Sequence, residues 1–126
     1  MKRYLKSGHP SEAAIQRAYF AWVELKSYAY PDLLTLIFAI PNGGSRHPIE
    51  ARNLRLSGVR AGVPDVFVSL ARHGKYGMYI EFKSGNGVLS EKQESFMLLA
   101  IKNNYRWNIC RTVEEAIRVT EEYLAI

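Results

Sequence analysis

One cysteine, Cys110, is all the thiol chemistry the chain carries, which excludes an internal disulfide and any zinc cluster built on cysteine. Its neighbours Trp107, Ile109 and Val113 place it on a buried strand. His9, His47 and His73 show no spacing for a shared metal and read as loop residues. Long apolar runs are missing too. The longest, Leu33 to Ile40, is far too short to span a bilayer, and the basic start from Met1 to Lys6 leads into Ser7-Gly8-His9-Pro10 rather than an apolar stretch, so neither a membrane partner nor a signal peptide is expected. A reducing cytoplasm fits these absences. Repeats, low-complexity tracts and linkers are also lacking, and 126 residues are expected to form one domain, 1–126.

Positive charge is in excess. Seventeen Lys and Arg against twelve Asp and Glu give +5 and a pI near 9.4, a balance that favours a polyanionic partner. Between Asn42 and Pro64 lie Arg46, Arg52, Arg55, Arg60 and His47 against a single acid, Glu50. That stretch reads either as a phosphate-contacting surface or as a solvated basic face.

Helical spacing after Pro10-Ser11 gives an apolar stripe of Ile15, Ala18, Tyr19, Trp22 and Leu25, ending before Pro31. Leu34 to Ile40 reads as a buried strand closed by the turn Pro41-Asn42-Gly43-Gly44, and Ile49 to Leu56 as a short helix stopped at Gly58. Asp65 to Leu70 and Met78 to Lys83 form a hairpin around His73, Gly74 and Gly77. Ser90 with Gln93, and Thr112 with Glu115, have the spacing of capping boxes. They open helices on either side of a strand from Trp107 to Arg111. The expected fold is α/β, a central mixed sheet flanked by helices in the order αβββαβ, with an inserted helix and a C-terminal helix.

The hairpin carries the chemistry. Alternation along a strand puts Glu81 and Lys83 on one face, with Ile80 and Phe82 behind them in the core. Asp65 and Glu81 are hard oxygen ligands suited to a divalent cation, and a neighbouring ammonium can orient or deprotonate water and steady developing charge. Phosphodiester hydrolysis needs those parts, although Glu-x-Lys on a strand also arises as a plain solvated edge.

In order along the chain stand Ser11-Glu12 with Gln16, Pro41-Asn42-Gly43-Gly44, Gly58 to Asp65, Ile80-Glu81-Phe82-Lys83 and Leu89-Ser90 with Gln93. This series resembles the VRR-NUC family within the PD-(D/E)xK nucleases, in its small standalone form found in phages and bacteria. The resemblance implies Mg²⁺ or Mn²⁺ held by Asp65, Glu81 and the main-chain carbonyl of Phe82, with Glu12 as a further acid. It also implies that Lys83 places the attacking water and that Gln93 points into the site. Glu12 has a second reading as a favourable charge at a helix start, and Gln93 as half of its capping box. Arg46, Arg52, Arg55 and Arg60, with Asn42 in the adjoining loop, are the candidates for nucleic-acid contact.

The expected activity is structure-selective cleavage of DNA, above all four-way (Holliday) junctions, by a homodimer without a nucleotide cofactor. Phe20, Trp22, Tyr123 and Leu124 on the first and last helices read either as the dimer's apolar surface or as core buried within the monomer. A non-catalytic binding module on the same fold, or a nuclease acting on RNA, flaps or free ends, are the rival readings.

Overall fold

The computed structural model describes residues 8–41 and 47–126. Asn42, Gly43, Gly44 and Arg46, singled out above, lie outside the described residues. Ser11 caps α1 (Glu12–Lys26), its hydroxyl accepting from the Ala14 amide. A short helix α2 (Leu33–Leu36) leads into β1 (Ile37–Ala39), and α3 (Pro48–Leu56) precedes β2 (Val66–Val68). Then follow β3 (Met78–Phe82), α4 (Glu91–Lys102), β4 (Arg106–Cys110) and α5 (Val113–Leu124).

The sheet order is β1-β2-β3-β4. The first two pairings are antiparallel and β3 runs parallel to β4, with α4 as the crossover. A two-residue turn joins β2 to β3, with His73 at φ 53 and Gly74 at φ 76 between the bonded pair Arg72 and Lys75. These angles suit a type I′ turn. The register slips by one residue between this bridge and the Val68–Met78 pair, a bulge. There the Leu70 carbonyl accepts from the Tyr123 hydroxyl at 2.6 Å.

One face of the sheet carries the core. Val66, Val68, Met78, Ile80, Phe82 and Cys110 are buried there with Ile15, Tyr19 and Val23 of α1 and Ala116, Tyr123 and Leu124 of α5. The Tyr19 and Thr120 hydroxyls meet at 2.9 Å, and Thr120 donates to the Ala116 carbonyl at 2.7 Å. The single threonine hydrogen is thereby spoken for, so Tyr19 is the donor. On the opposite face Phe67, Tyr79, Phe96 and Tyr105 form a connected aromatic layer, with Phe67 and Tyr79 centroids 4.6 Å apart.

Three expectations are corrected. The run Leu34 to Ile40 is half helix: amides from Leu33 to Leu36 bond back to carbonyls from Tyr30 to Asp32, and extended backbone begins only at Ile37. Pro31 suits the second position of the turn closed by the Leu33 amide on the Tyr30 carbonyl, which leads into the helix, and an apolar run this short carries no period to separate strand from helix. On α1 the buried ridge is Ile15, Tyr19 and Val23 at i, i+4 and i+8, while Ala18 is exposed and Leu25 is 69% exposed. Finally, Tyr123 and Leu124 are buried and supply no surface to a dimer, while Phe20 and Trp22 are partly buried against the core.

Candidate active site

Continuing the β2–β3 register past Val66 and Ile80 sets Asp65 directly opposite Glu81. The Asp65 carbonyl accepts from the Ile40 amide at 2.8 Å and so turns toward β1. Asp65 and Glu81 therefore form a non-hydrogen-bonded pair, the arrangement that brings Cα atoms to about 4.5 Å and side chains closest. Both carboxyls leave the sheet on the face away from α1 and α5. In the sequence the expected hairpin carries these two acids, while strand alternation aligns only Glu81 with Lys83.

Asp65 is held twice. Its main chain joins β1, and its Oδ2 accepts from the Phe82 amide at 2.8 Å. The Phe82 carbonyl points to the same edge as the Phe82 amide, where the register places Pro64. Proline has no N–H to give, so the ladder donor that would normally occupy this carbonyl does not exist. An oxygen beside two carboxylates is left for another partner.

Glu81 is only 3% exposed. Its pKa is raised from 4.5 to about 8, first by desolvation and then by the Asp65 charge and a hydrogen bond shared with Asp65. Lys83 lowers it, and Glu12 adds a smaller upward push. Gln93 donates from Nε2 to Glu81 Oε2 at 3.2 Å while its Oε1 accepts from the Ser90 amide at 2.9 Å. The two readings of Gln93 are thus one arrangement: the capping box fixes the amide that orients the carboxylate. Asp65, Glu81, Lys83 and Gln93 are gathered together. Glu12, exposed at the start of α1, reaches the site through its charge.

Among the described residues no group of three His, Cys, Asp or Glu side chains forms a ligand cluster. Two carboxylates and a carbonyl fit Mg²⁺ or Mn²⁺ nonetheless, because Mg²⁺ keeps several waters and takes one or two carboxylates with substrate phosphates. Burial is the larger cause of the Glu81 shift, and the Asp65 charge that adds to it is what a dication offsets.

Arg111 was missed from sequence. The Lys83 amide donates to the Cys110 carbonyl at 3.1 Å, and the next loop is clamped by Arg111, whose Nη1 donates to the Gly85 and Gly87 carbonyls, each at 2.8 Å. Ser84 Oγ ties the loop to the Pro10 carbonyl at 2.9 Å. A Cβ on Gly87 would stand 3.1 Å from the Ser84 oxygen and 3.6 Å from Lys83 Cδ. The loop therefore lies against the lysine stem. Two glycine carbonyls as acceptors leave no side-chain pattern to read.

Arg52 and Arg55 are exposed on α3, and Arg60 Nη1 donates to the Arg55 carbonyl at 3.2 Å, engaging the end of that helix.

The family model of the VRR-NUC domain matches residues 11–114. A solved structure described as a VRR_NUC domain protein superposes with a TM-score of 0.76 at 21% identity, covering 92% of this chain and 89% of the other, a likeness of fold. No curated protein matches the chain.

Proposed function

The chain belongs to the VRR-NUC domain family, nucleases of the PD-(D/E)xK type, and from that premise we propose that it is a metal-dependent, structure-selective DNA endonuclease acting on branched DNA such as four-way junctions. The observation that carries this reading is the opposed pair Asp65 and Glu81, with Lys83 on the same face and Gln93 bonded to the Glu81 carboxyl. Asp65, Glu81 and the Phe82 carbonyl would hold Mg²⁺ or Mn²⁺. The ion, when bound, neutralises phosphate charge and makes coordinated water more acidic.

The chain's own residues do the rest. Lys83, steadied by the loop that Arg111 clamps, orients the attacking water and balances charge on the phosphate. Gln93 keeps the Glu81 carboxylate turned into the site, and Glu12 adds negative charge at its rim. In-line attack leaves a 5′-phosphate and a 3′-hydroxyl. Arg52 and Arg55 meet phosphates and position the substrate without reading bases.

Labelled linear duplexes, flaps, single strands and four-way junctions incubated with Mg²⁺ or Mn²⁺ test the proposal. Junctions are cut fastest, and chelation stops all cutting. Absence of cleavage across the whole panel would contradict it.

A further inference from the structure

Beside the candidate site runs a groove of about 800 Å³ between α3 and the start of α4. Ala51, Leu54, Val59 and Val63 give it an apolar floor, and Arg55, Arg60 and Lys92 give it a basic rim against one acid, Glu91. Its walls are pinned together at Gly62, where φ is +90 and a Cβ would lie 2.4 Å from the Lys92 carbonyl oxygen. No side chain fits that approach. Gln93 lines the groove and also donates to Glu81. Through Gln93 the groove adjoins the carboxylate pair.

We infer that this groove takes a single-stranded segment of nucleic acid, a strand opened or left unpaired at the branch of the substrate, and leads it to Asp65 and Glu81. The inference rests on the nuclease reading for the identity of the strand, but its chemistry is local. A duplex hides its bases and offers mainly phosphates, for which an apolar floor has no use. An unpaired strand offers both faces of its bases together with its phosphates, which suits apolar side chains below cations. Arg55 and Lys92 hold the phosphates. Arg60, already bonded to the Arg55 and Val59 carbonyls, is a positioning residue that fixes the rim at the end of α3. Arg52 does not line the groove.

The test is fluorescence anisotropy with the metal chelated, so that nothing is cut, comparing a blunt duplex with the same duplex carrying a single-stranded tail. Wild-type protein binds the tailed form about tenfold tighter. Arg55→Glu combined with Lys92→Glu lowers that advantage to about twofold or less. Ala51→Leu, which narrows the groove without changing charge or adding a stacking face, does the same. Arg52→Glu weakens both forms equally and keeps the advantage. Melting curves verify folding, and a photo-crosslinker at Val59 that captures the tail in the wild-type background supplies an independent readout.

Equal affinity for tailed and blunt DNA in the wild type overturns the inference, as does an effect of Arg52→Glu matching that of the groove variants. Cleavage with Mg²⁺ is followed in parallel. Cutting without a tail advantage removes the groove and leaves the nuclease reading, whereas a tail advantage without cutting supports the groove and removes the nuclease reading.

Discussion

Glu81 holds a proton that a free glutamate gives up at much lower pH, because it is desolvated and faces Asp65. The linkage has a definite sign. The folded pKa of about 8 exceeds the ordinary 4.5, so metal-free folded protein binds an extra proton between those values. This group's stabilising contribution is full below about pH 4.5 and is lost as pH rises through 8, at up to about 1.4 kcal/mol per pH unit. Melting in chelator from pH 5 to 8.5 should show wild type losing ground to Glu81→Gln as pH rises. Parallel curves for the two proteins would contradict the assigned cause. Metal uptake must displace the same proton, so affinity for Mn²⁺ should climb over this range.

Buried hydroxyls give a second residue-scale expectation. Tyr19 donates to Thr120, which donates to Ala116. Tyr19→Phe removes a donor while Thr120 keeps its partner, costing about 1 kcal/mol. Thr120→Val leaves a buried tyrosine hydroxyl without its acceptor and should cost more, about 1–3 kcal/mol. Denaturant titration orders the two variants. The reverse order would mean that the proton runs from threonine to tyrosine.

Among elements, the loop after β3 is the one on which the lysine depends. Arg111→Ala frees the Gly85 and Gly87 carbonyls, so the Lys83 stem loses its support. Turnover is expected to fall about 10- to 100-fold with DNA affinity little changed, since small misplacement of a reacting group is costly. Single-turnover rates beside binding measurements check it, and an unchanged rate would reduce Arg111 to a structural tie. Much of the site was legible because it follows short-range rules. Strand alternation aligned Glu81 with Lys83, and the spacing of Ser90 and Gln93 announced a cap. What escaped depends on distance in space. Arg111 acts on main-chain carbonyls, and the amide of Gln93 serves cap and carboxylate together. The strand expected from Leu34 was halved by a turn that a short apolar run does not encode.

For the whole molecule, the order αβββαβ was readable from the alternation of periods, and α4 and α5 cover opposite faces of the sheet it builds. Assembly was not readable. Tyr123 and Leu124 pack inside and Phe20 and Trp22 are only partly exposed, so the homodimer we expect on junctions draws at most a part of its surface from them. Two-fold pairing would present two sites to a two-fold symmetric substrate. Sedimentation at micromolar concentration, with cleavage of a junction beside its linear arms, tests this. A monomer cutting both at equal rates would remove the dimer and leave the chemistry intact. The central claim is that Asp65, Glu81 and Lys83 act together on a phosphodiester with a divalent ion. Single-turnover cleavage of one DNA substrate by wild type, Asp65→Asn and Lys83→Ala, with Mg²⁺ and with chelator, addresses it directly. Wild type cuts only with the ion, while both variants bind the DNA and lose at least about 100-fold in rate. Cleavage by either variant at the wild-type rate would contradict the account.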